Sequence, residues 1–318
     1  MWFVAILIPM SCLAPLLYNY CDNFSKERRM ERPDYDSHVW SDFSPLLYFV
    51  PIMHAAKYLV RKLWTPFFVA KLSKKYSGET LKLKIVKWSK NFFKIFYFTF
   101  ITIFGYYVLS DTNYHSPLMF GTGNIMYINS DWPFNKAPHY LKLYYMIGMS
   151  YHVEDTIAHI FHQAQNDFWE MLLHHYITIC LIVVSFMTAQ WPCGIMVMIQ
   201  MDNGDAIGGV IKAFMDFTSV PFVISVYFGV LSSWIYFRDF VYAYEVFGFW
   251  WMMGRWYSGS RPAPQFQFNC LILTLLILNL YWTFLFFRMG QRFASKGEVK
   301  DLQNVIEDEK EKKIKAIN

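Results

Sequence analysis

The sequence has little charge for its length. Charged residues make up only 17% of the 318-residue chain, below the roughly 25% that is usual for soluble domains. Hydrophobic residues make up 55% and aromatic residues 20%. Apolar runs of about 20 residues recur along the chain, and a soluble protein has no need for them. The composition therefore predicts an all-α integral membrane protein and argues against a soluble domain.

The sequence also lacks the usual marks of a disulfide framework or a thiolate metal site. Its five cysteines are odd in number and widely spaced, and no Cys-x-x-Cys pair occurs. We therefore expect buried, inert thiols. No nucleic-acid-binding module is present, so we expect no nucleic-acid partner. The net charge of +5 is better explained by membrane orientation and by contact with anionic lipid.

About seven transmembrane helices are predicted, together with interfacial amphipathic helices. The predicted spans are Trp2–Tyr18, Phe92–Leu109, Leu141–Phe161, two arms within Asn166–Phe217, Pro221–Phe237 and Phe268–Phe287. The first is predicted to be a retained anchor, with a cleaved signal as the alternative. The predicted divisions are an anchor at 1–19, a basic connector at 20–83, a transmembrane domain at 84–291 and a charged tail at 292–318.

Two apolar segments are predicted not to cross the membrane. Pro45–Lys75 carries many cations, so we expect a helix in the headgroup plane; a soluble amphipathic hairpin is the alternative. Tyr242–Trp256 is aromatic but short, which favours an interfacial or re-entrant segment. The basic stretch Lys26–Lys90 and the charged tail are predicted to lie on one side, with the first terminus outside and the last inside. Three arginines on the far side are exceptions: Arg238, Arg255 and Arg261.

The chain is organised around the hairpin within Asn166–Phe217, whose turn is predicted at Trp191–Gly194. Its first arm carries His174 and His175, and its second carries Asp202 and Asp205. Acidic groups at the centre of a span cost roughly 2.5–3.5 kcal/mol on insertion scales, so they usually face a protein interior and have a function there. Helix geometry places both pairs at similar depths. We therefore predict that these four residues form one site.

The chemistry of these residue types favours catalysis over a structural polar network. A neutral imidazole can act as a general base or as a nucleophile toward an acyl group. A carboxylate bound to the other ring nitrogen fixes the tautomer and stabilises the imidazolium. Adjacent histidines on a helix point about 100° apart, so His174 and His175 are expected to have different roles.

A second polar stripe is predicted along the helix Leu141–Phe161 and just beyond it. Its members are His152, Asp155, His159 and His162. The stripe is interpreted as a proton path or an extension of the site, or as a polar face packed on the hairpin. A metal site is not expected, because the spacing does not give the His-x-x-His-His clusters of membrane di-iron enzymes.

The hairpin resembles the TLC-domain family, and within it the ceramide synthase branch. The matching stretch is NDFWEMLLHHYITICLIVVSF followed by MDNGD, and weaker similarity extends over about Lys84–Gln291. The resemblance implies a TLC-type helical bundle in the endoplasmic reticulum that transfers a fatty acyl group from acyl-CoA to a sphingoid base. It implies no cofactor beyond acyl-CoA as substrate. The residues that match the family pattern are Asp167, Trp169, Met171, His174, His175, Ser185, Asp202 and Asp205.

Carried over by position, His174, His175, Asp202 and Asp205 are implied to be catalytic. His174 is favoured as the acyl acceptor, and the two aspartates would orient and charge-balance the imidazoles. The chain departs from the family at four places: Gln165-Asn166 replaces cations, Pro192-Cys193 replaces an Arg, Met201 replaces a His, and Gly204 replaces a Ser.

These departures leave a second hypothesis open. It is a non-catalytic structural subunit or lipid-binding scaffold of a larger complex, in the mitochondrial inner membrane or another organelle. Membrane lipids are expected partners in either case. A monomer or a homodimer is expected for the enzyme, and a hetero-complex for the scaffold.

Overall fold

The computed structural model describes residues 2–74, 76–110, 112–123, 132–161, 168–214, 220–248 and 263–296. Within these ranges the secondary structure is entirely helical, as the sequence predicts. The main helices are α1 (Trp2–Glu31), α2 (Leu46–Leu72), α3 (Gly78–Leu109), α4 (Leu141–Phe161), α5 (Phe168–Met187), α6 (Trp191–Phe214), α7 (Val220–Trp234) and α8 (Ala263–Lys296). Short 3₁₀ turns lie at Trp40–Phe43 and Pro117–Met119.

Four helical segments of the described residues are long and apolar enough to cross a membrane. They are Trp40–Leu72, Gly78–Leu109, Phe168–Met187 and Phe268–Ser295. The predicted count of seven spans is not confirmed. The helix α4, one of the predicted spans, carries buried carboxylates at Glu154 and Asp155, which lower its mean hydropathy. The apolar helices nevertheless make this an integral membrane protein.

The helix α2 stands upright in the bundle, which contradicts its predicted position in the headgroup plane. It runs alongside α4 in the same direction: Lys142 Nζ lies 2.5 Å from Asp42 Oδ1 at one end, and His54 Nδ1 lies 2.9 Å from Glu154 Oε1 further along. The prediction overweighted the cations. The upright position of α2 is favoured by its long apolar stretch and by its aromatic packing against α3, such as the ring contact of Trp64 with Phe92.

The predicted distribution of basic residues between the two sides is also wrong. The bundle has a turn end, where Thr188–Gln190 joins α5 to α6, and a basic end, where α2 finishes with Lys71. The last turns of α1 lie at the turn end, because Phe24 contacts Trp132 and the indole of Trp132 donates to Thr188 O at 2.8 Å. The stretch Lys26–Lys90 is therefore divided between both ends, and α1 begins at the basic end.

The hairpin forms as predicted, but its turn and its packing differ. The turn lies at Thr188–Gln190, and Trp191 and Pro192 already belong to the first turn of α6, where proline lacks no needed donor. The helix α6 packs more extensively against α3 than against α5. The two arms of the hairpin, α5 and α6, therefore diverge from the turn that joins them. A cavity lies between these two helices, and α8 closes it on another side.

The sixth predicted span does not end at Phe237. The helix α7 continues through a π-helical segment, Ile235–Val241, and then as helix to residue 248. Insertions of this kind are common at functional sites, and this one carries Arg238. The predicted segment Tyr242–Trp256 lies outside the described residues after 248, as do Arg255, Arg261 and the tail beyond 296.

Candidate active site

The cavity between α5, α6 and α8 is narrow, with a volume of about 40 Å³, and has a mostly apolar wall. His174 lines it from α5, with its ring 5.1 Å from the ring of Trp282 in an edge-to-face arrangement. Along α6 the lining runs from Asp205 to Cys193, twelve residues, which at 1.5 Å per residue is roughly 18 Å. The cavity is therefore an elongated apolar slot with polar groups concentrated toward the basic end.

Asp202 and Asp205 both line this slot from α6, as their spacing predicts. Asp205 Oδ1 lies 2.8 Å from Arg238 Nη2, and the same guanidinium donates to Met201 O at 2.6 Å. Arg238 is 2% exposed and also stacks on Trp234, with its central carbon 4.1 Å from the ring centroid. Asp205 therefore has a fixed counter-ion, which the sequence interpretation placed in a loop on the far side of the membrane.

Gly204 allows this close approach of Arg238. A Cβ atom at this position would lie 2.6 Å from Arg238 Nε, which is less than van der Waals contact allows. The serine that the related pattern carries here would therefore displace the guanidinium, so the glycine and the buried arginine belong together.

His175 points away from the slot, toward α4. It is 3% exposed, and its Nε2 lies 3.7 Å from Asp155 Oδ2. Neither ring nitrogen has a hydrogen-bond partner among the described residues. Catalytic hydrogen bonds are often long in unliganded enzymes, so Asp155 is the carboxylate positioned to orient this imidazole.

The predicted direct pairing between the imidazoles and the α6 aspartates is not seen. Within the described ranges, no hydrogen bond or ion pair joins His174 or His175 to Asp202 or Asp205. The aspartates instead face the slot together with His174. The carboxylate next to His175 comes from α4, in the stripe that was interpreted only as an extension of the site.

The other members of that stripe have different surroundings. His152 lines the slot, opposite α6. His159 stacks on Phe168 with ring centroids 4.6 Å apart, and its Nε2 lies 3.0 Å from Phe168 O. His162 lies outside the described residues. Among the described members of the stripe, His152 lines the slot, Asp155 faces His175, and the ring of His159 lies 5.7 Å from that of His175.

Lys57 of α2 is a second group that sequence interpretation missed. Its Nζ lies 3.0 Å from Asp155 Oδ1 and also contacts Glu154 Oε2. Glu154 in turn accepts from His54. The signal for Arg238 and Lys57 was present, because isolated cations next to apolar stretches are expected to find partners inside a bundle. Their partners, however, are distant in sequence.

The arrangement provides one imidazole in an apolar slot and a second on a carboxylate. Such a pair suits acyl transfer, in which one group accepts the acyl chain and the other manages a proton. An apolar wall around the first imidazole disfavours water there, which would protect a reactive acyl group from hydrolysis.

Comparison with known proteins places this arrangement in a family. A family model described as the TLC domain matches residues 87–288. Ceramide synthase hyl-2 of Caenorhabditis elegans is 26% identical over 190 residues, covering 56% of this chain and 57% of that protein. Sphingosine N-acyltransferase lac1 of Schizosaccharomyces pombe is 24% identical over 242 residues, covering 71% and 60%. ASC1-like protein 3 of Oryza sativa is 26% identical over 288 residues, covering 85% and 97%.

These similarities confirm the predicted resemblance to a diverged member of the ceramide synthase branch. The chain spans about three fifths of the length of the first curated relatives that it matches. The helices α1 and α2 precede the region that the family model covers.

Proposed function

The chain belongs to the TLC-domain family, and we propose that it is a membrane acyltransferase that joins a fatty acyl group from acyl-CoA to the amine of a sphingoid base. The observation that carries the proposal is the position of His174 in a narrow, elongated slot with a mostly apolar wall. Such a wall matches a fatty acyl chain in polarity. Relatives named ceramide synthase or sphingosine N-acyltransferase support the reaction class.

In the first half-reaction, His174 is the nucleophile. A ring nitrogen attacks the thioester carbonyl, the carbon–sulfur bond breaks, and CoA leaves as a thiolate that takes up the proton released by the His174 ring. The product is an acyl-imidazole, with the acyl chain lying along the slot toward Cys193. Splitting the reaction into two steps replaces one difficult transfer with two easier ones.

In the second half-reaction, the neutral amine of the sphingoid base attacks the acyl carbon. The bond from that carbon to the His174 nitrogen breaks, and the amide forms. The amine proton is relayed to His175, whose imidazolium is stabilised by Asp155 at 3.7 Å, and His175 then gives up this proton so that the departing His174 nitrogen is reprotonated. Asp202, Asp205 and Arg238 supply a fixed charge pattern beside the reacting carbonyl.

The polyanionic part of CoA is proposed to bind at the basic end. Exposed lysines lie there on α2, on α3 and in the connection between them, including Lys71, Lys82 and Lys74. Cations at this end compensate for the neutral pair Gln165-Asn166, which lies outside the described residues.

The compartment and assembly are part of the same proposal. We propose the endoplasmic reticulum membrane and no metal or other cofactor, since these accompany the sphingolipid reaction in the resemblance described above, together with a monomeric or homodimeric assembly. A hetero-complex in another organelle is the alternative that purification would reveal.

The test is an amide-forming assay with the purified full-length protein, a fatty acyl-CoA and a sphingoid base. We expect a long-chain amide from the wild type and none from the double variant His174→Ala/His175→Ala. Arg288→Ala, an exposed cation on α8, is the matched control and should keep wild-type activity. Equal activity in the double variant would remove the assigned chemistry. An inactive wild type that retains extractable lipid in stoichiometric amount would establish a lipid-binding scaffold instead.

A further inference from the structure

We propose that Lys57 is a positioning residue for the reaction: it holds the carboxylate of Asp155 in the orientation that faces His175. This inference rests on the proposed acyl transfer. It assigns a task to α2, which lies before the region that the family model matches.

The two oxygens of the Asp155 carboxylate face different neighbours. Its Oδ1 accepts from Lys57 Nζ at 3.0 Å, and its Oδ2 lies 3.7 Å from His175 Nε2. The side chain of Asp155 is 9% exposed, so it has little access to water as a substitute partner. Rotation that would break the contact with Lys57 also moves Oδ2 away from the imidazole.

Lys57 is itself held in place, which a positioning residue requires. Its ammonium group also binds the buried Glu154. It lies 4.7 Å from the ring centroid of Tyr151 and 5.8 Å from that of Phe93. Cation–π contacts of this kind strengthen when the cation is partly desolvated. Two carboxylates and two aromatic faces therefore fix a side chain that is flexible on most surfaces.

Other cations face Asp155 without replacing this contact. Lys90 and Lys94 of α3 and His175 of α5 interact with it electrostatically. Within the described residues, Lys57 is the side chain that donates a hydrogen bond to it. The α3 lysines contribute charge, whereas Lys57 contributes charge and also orients the carboxylate of Asp155 through its hydrogen bond.

The electrostatic role can be separated from simple packing by substitution. Lys57→Met keeps most of the side chain's length and removes the ammonium, and Lys57→Arg keeps a cation. We expect Lys57→Met to lower kcat for amide formation roughly tenfold, as loss of an orienting partner does for metal-bound histidines. The KM values for acyl-CoA and base should stay within about twofold, because the change alters orientation rather than binding. Lys57→Arg should restore most of kcat.

A double-substitution cycle gives the sharper test. Asp155→Asn is expected to lower kcat further, and adding Lys57→Met to it should have almost no additional effect, because both act through one contact. Lys62→Met, an exposed lysine on the same helix, is the control and should match the wild type.

Each outcome bears on the inference. If the wild type is active and Lys57→Met keeps its kcat, or if Lys57→Met and Asp155→Asn act additively, the positioning role is wrong while the proposed function stands. If the wild type forms no amide, the proposed function and this inference are both overturned.

Discussion

His174 and His175 are adjacent in the sequence but occupy opposite environments. His174 faces an apolar slot and the ring of Trp282. His175 faces away from the slot, toward Asp155 and the cation behind it. One imidazole has space for a substrate, and the other has a fixed partner. The roughly 100° between neighbouring helical residues is sufficient to divide the two roles between them.

The two sides of the helix α5 differ in the same way. On the slot side, α6 diverges from α5, so that polar groups line open volume. On the other side, α4 and α2 pack closely, and Lys57 connects Glu154 to Asp155. An enzyme that handles a lipid and a proton needs both conditions: an open apolar volume for the chain, and a rigid polar network for the proton.

The largest expected effect comes from separating the two imidazoles kinetically. With acyl-CoA alone, wild type and His175→Ala should each release about one equivalent of CoA per active site in a burst, because His174 is still present. His174→Ala should release none. For the complete reaction, His174→Ala should lower kcat by at least 10³-fold, the scale seen when a nucleophile is removed.

Intact-mass spectrometry of the protein after the burst measures the same difference directly. Once the sphingoid base is added, the acyl adduct should persist on His175→Ala and disappear from the wild type, since the second half-reaction of the variant is slowed. Tyr58→Ala, at an exposed position on α2, serves as the control. An adduct located on His175 would reverse the assigned roles, and a burst in His174→Ala would contradict the comparison altogether.

The next effect concerns the charge on the slot side. Arg238→Met removes the counter-ion of Asp205, and we expect kcat/KM to fall roughly 10²-fold, as when one preorganised electrostatic group is lost. Breaking a fully buried pair costs about 3–5 kcal/mol. Because the Asp205 side chain is 38% exposed, we expect about 1–2 kcal/mol here, measured by thermal unfolding. Arg288→Met is the exposed control, and equal losses in both variants would deny Arg238 its special role.

A smaller change should alter specificity while leaving the chemistry intact. Val197 lines the slot eight residues before Asp205, roughly 12 Å along the helix. Val197→Phe should block the far part, so that long-chain acyl-CoA loses activity and short-chain acyl-CoA keeps it. Competition between the two in one assay measures the ratio. Val86→Phe, at an exposed site on α3, is the control and should leave the ratio of long-chain to short-chain activity unchanged. If Val197→Phe also leaves this ratio unchanged, the acyl chain lies elsewhere.

The sequence predicted the helical class and the hairpin because both depend on local patterns. Apolar runs and the spacing of Asp202 and Asp205 are visible without a fold. The placement of α2 was predicted wrongly because composition alone weighs its cations as water-seeking. In the bundle, Lys57 is stabilised by Glu154 and Asp155, about 100 residues away in the sequence, and no local pattern encodes that partnership.

The site shows the same limit. The sequence places His174 and the α6 aspartates at similar depths, and the structure brings them to one slot. The sequence does not reveal that Asp155 is the neighbour of His175, because this contact depends on the rotation of α4 about its own axis. Nor does it reveal Arg238, whose direction depends on the π-helical segment Ile235–Val241. Rotations and insertions are tertiary outcomes, set by packing over several helices.

The smallest expected effect concerns stability at the turn end, away from both imidazoles of the site. His38 lies between α1 and α2, stacked on Phe186 with ring centroids 3.9 Å apart. Burial lowers the pKa of His38 below its ordinary value of 6.5, although Asp42 and Asp36 oppose the shift. The folded state therefore binds this proton less readily than the unfolded state. Stability from the neutral ring is full above about pH 6.5 and is lost as the pH falls toward the folded pKa.

The measurement is the melting temperature of the purified protein between about pH 7.5 and pH 5.5. We expect Tm to fall with acidification in the wild type and to fall less in His38→Gln, which cannot take up the proton. His139→Gln is the control and should keep the wild-type slope, because His139 is exposed and contacts the ring of the adjacent Tyr140 edge to face. An identical slope in His38→Gln would mean that acid destabilisation comes from carboxylates elsewhere. Amide formation at neutral pH should be unaffected by His38→Gln, because this histidine belongs to neither side of α5 where the chemistry is assigned.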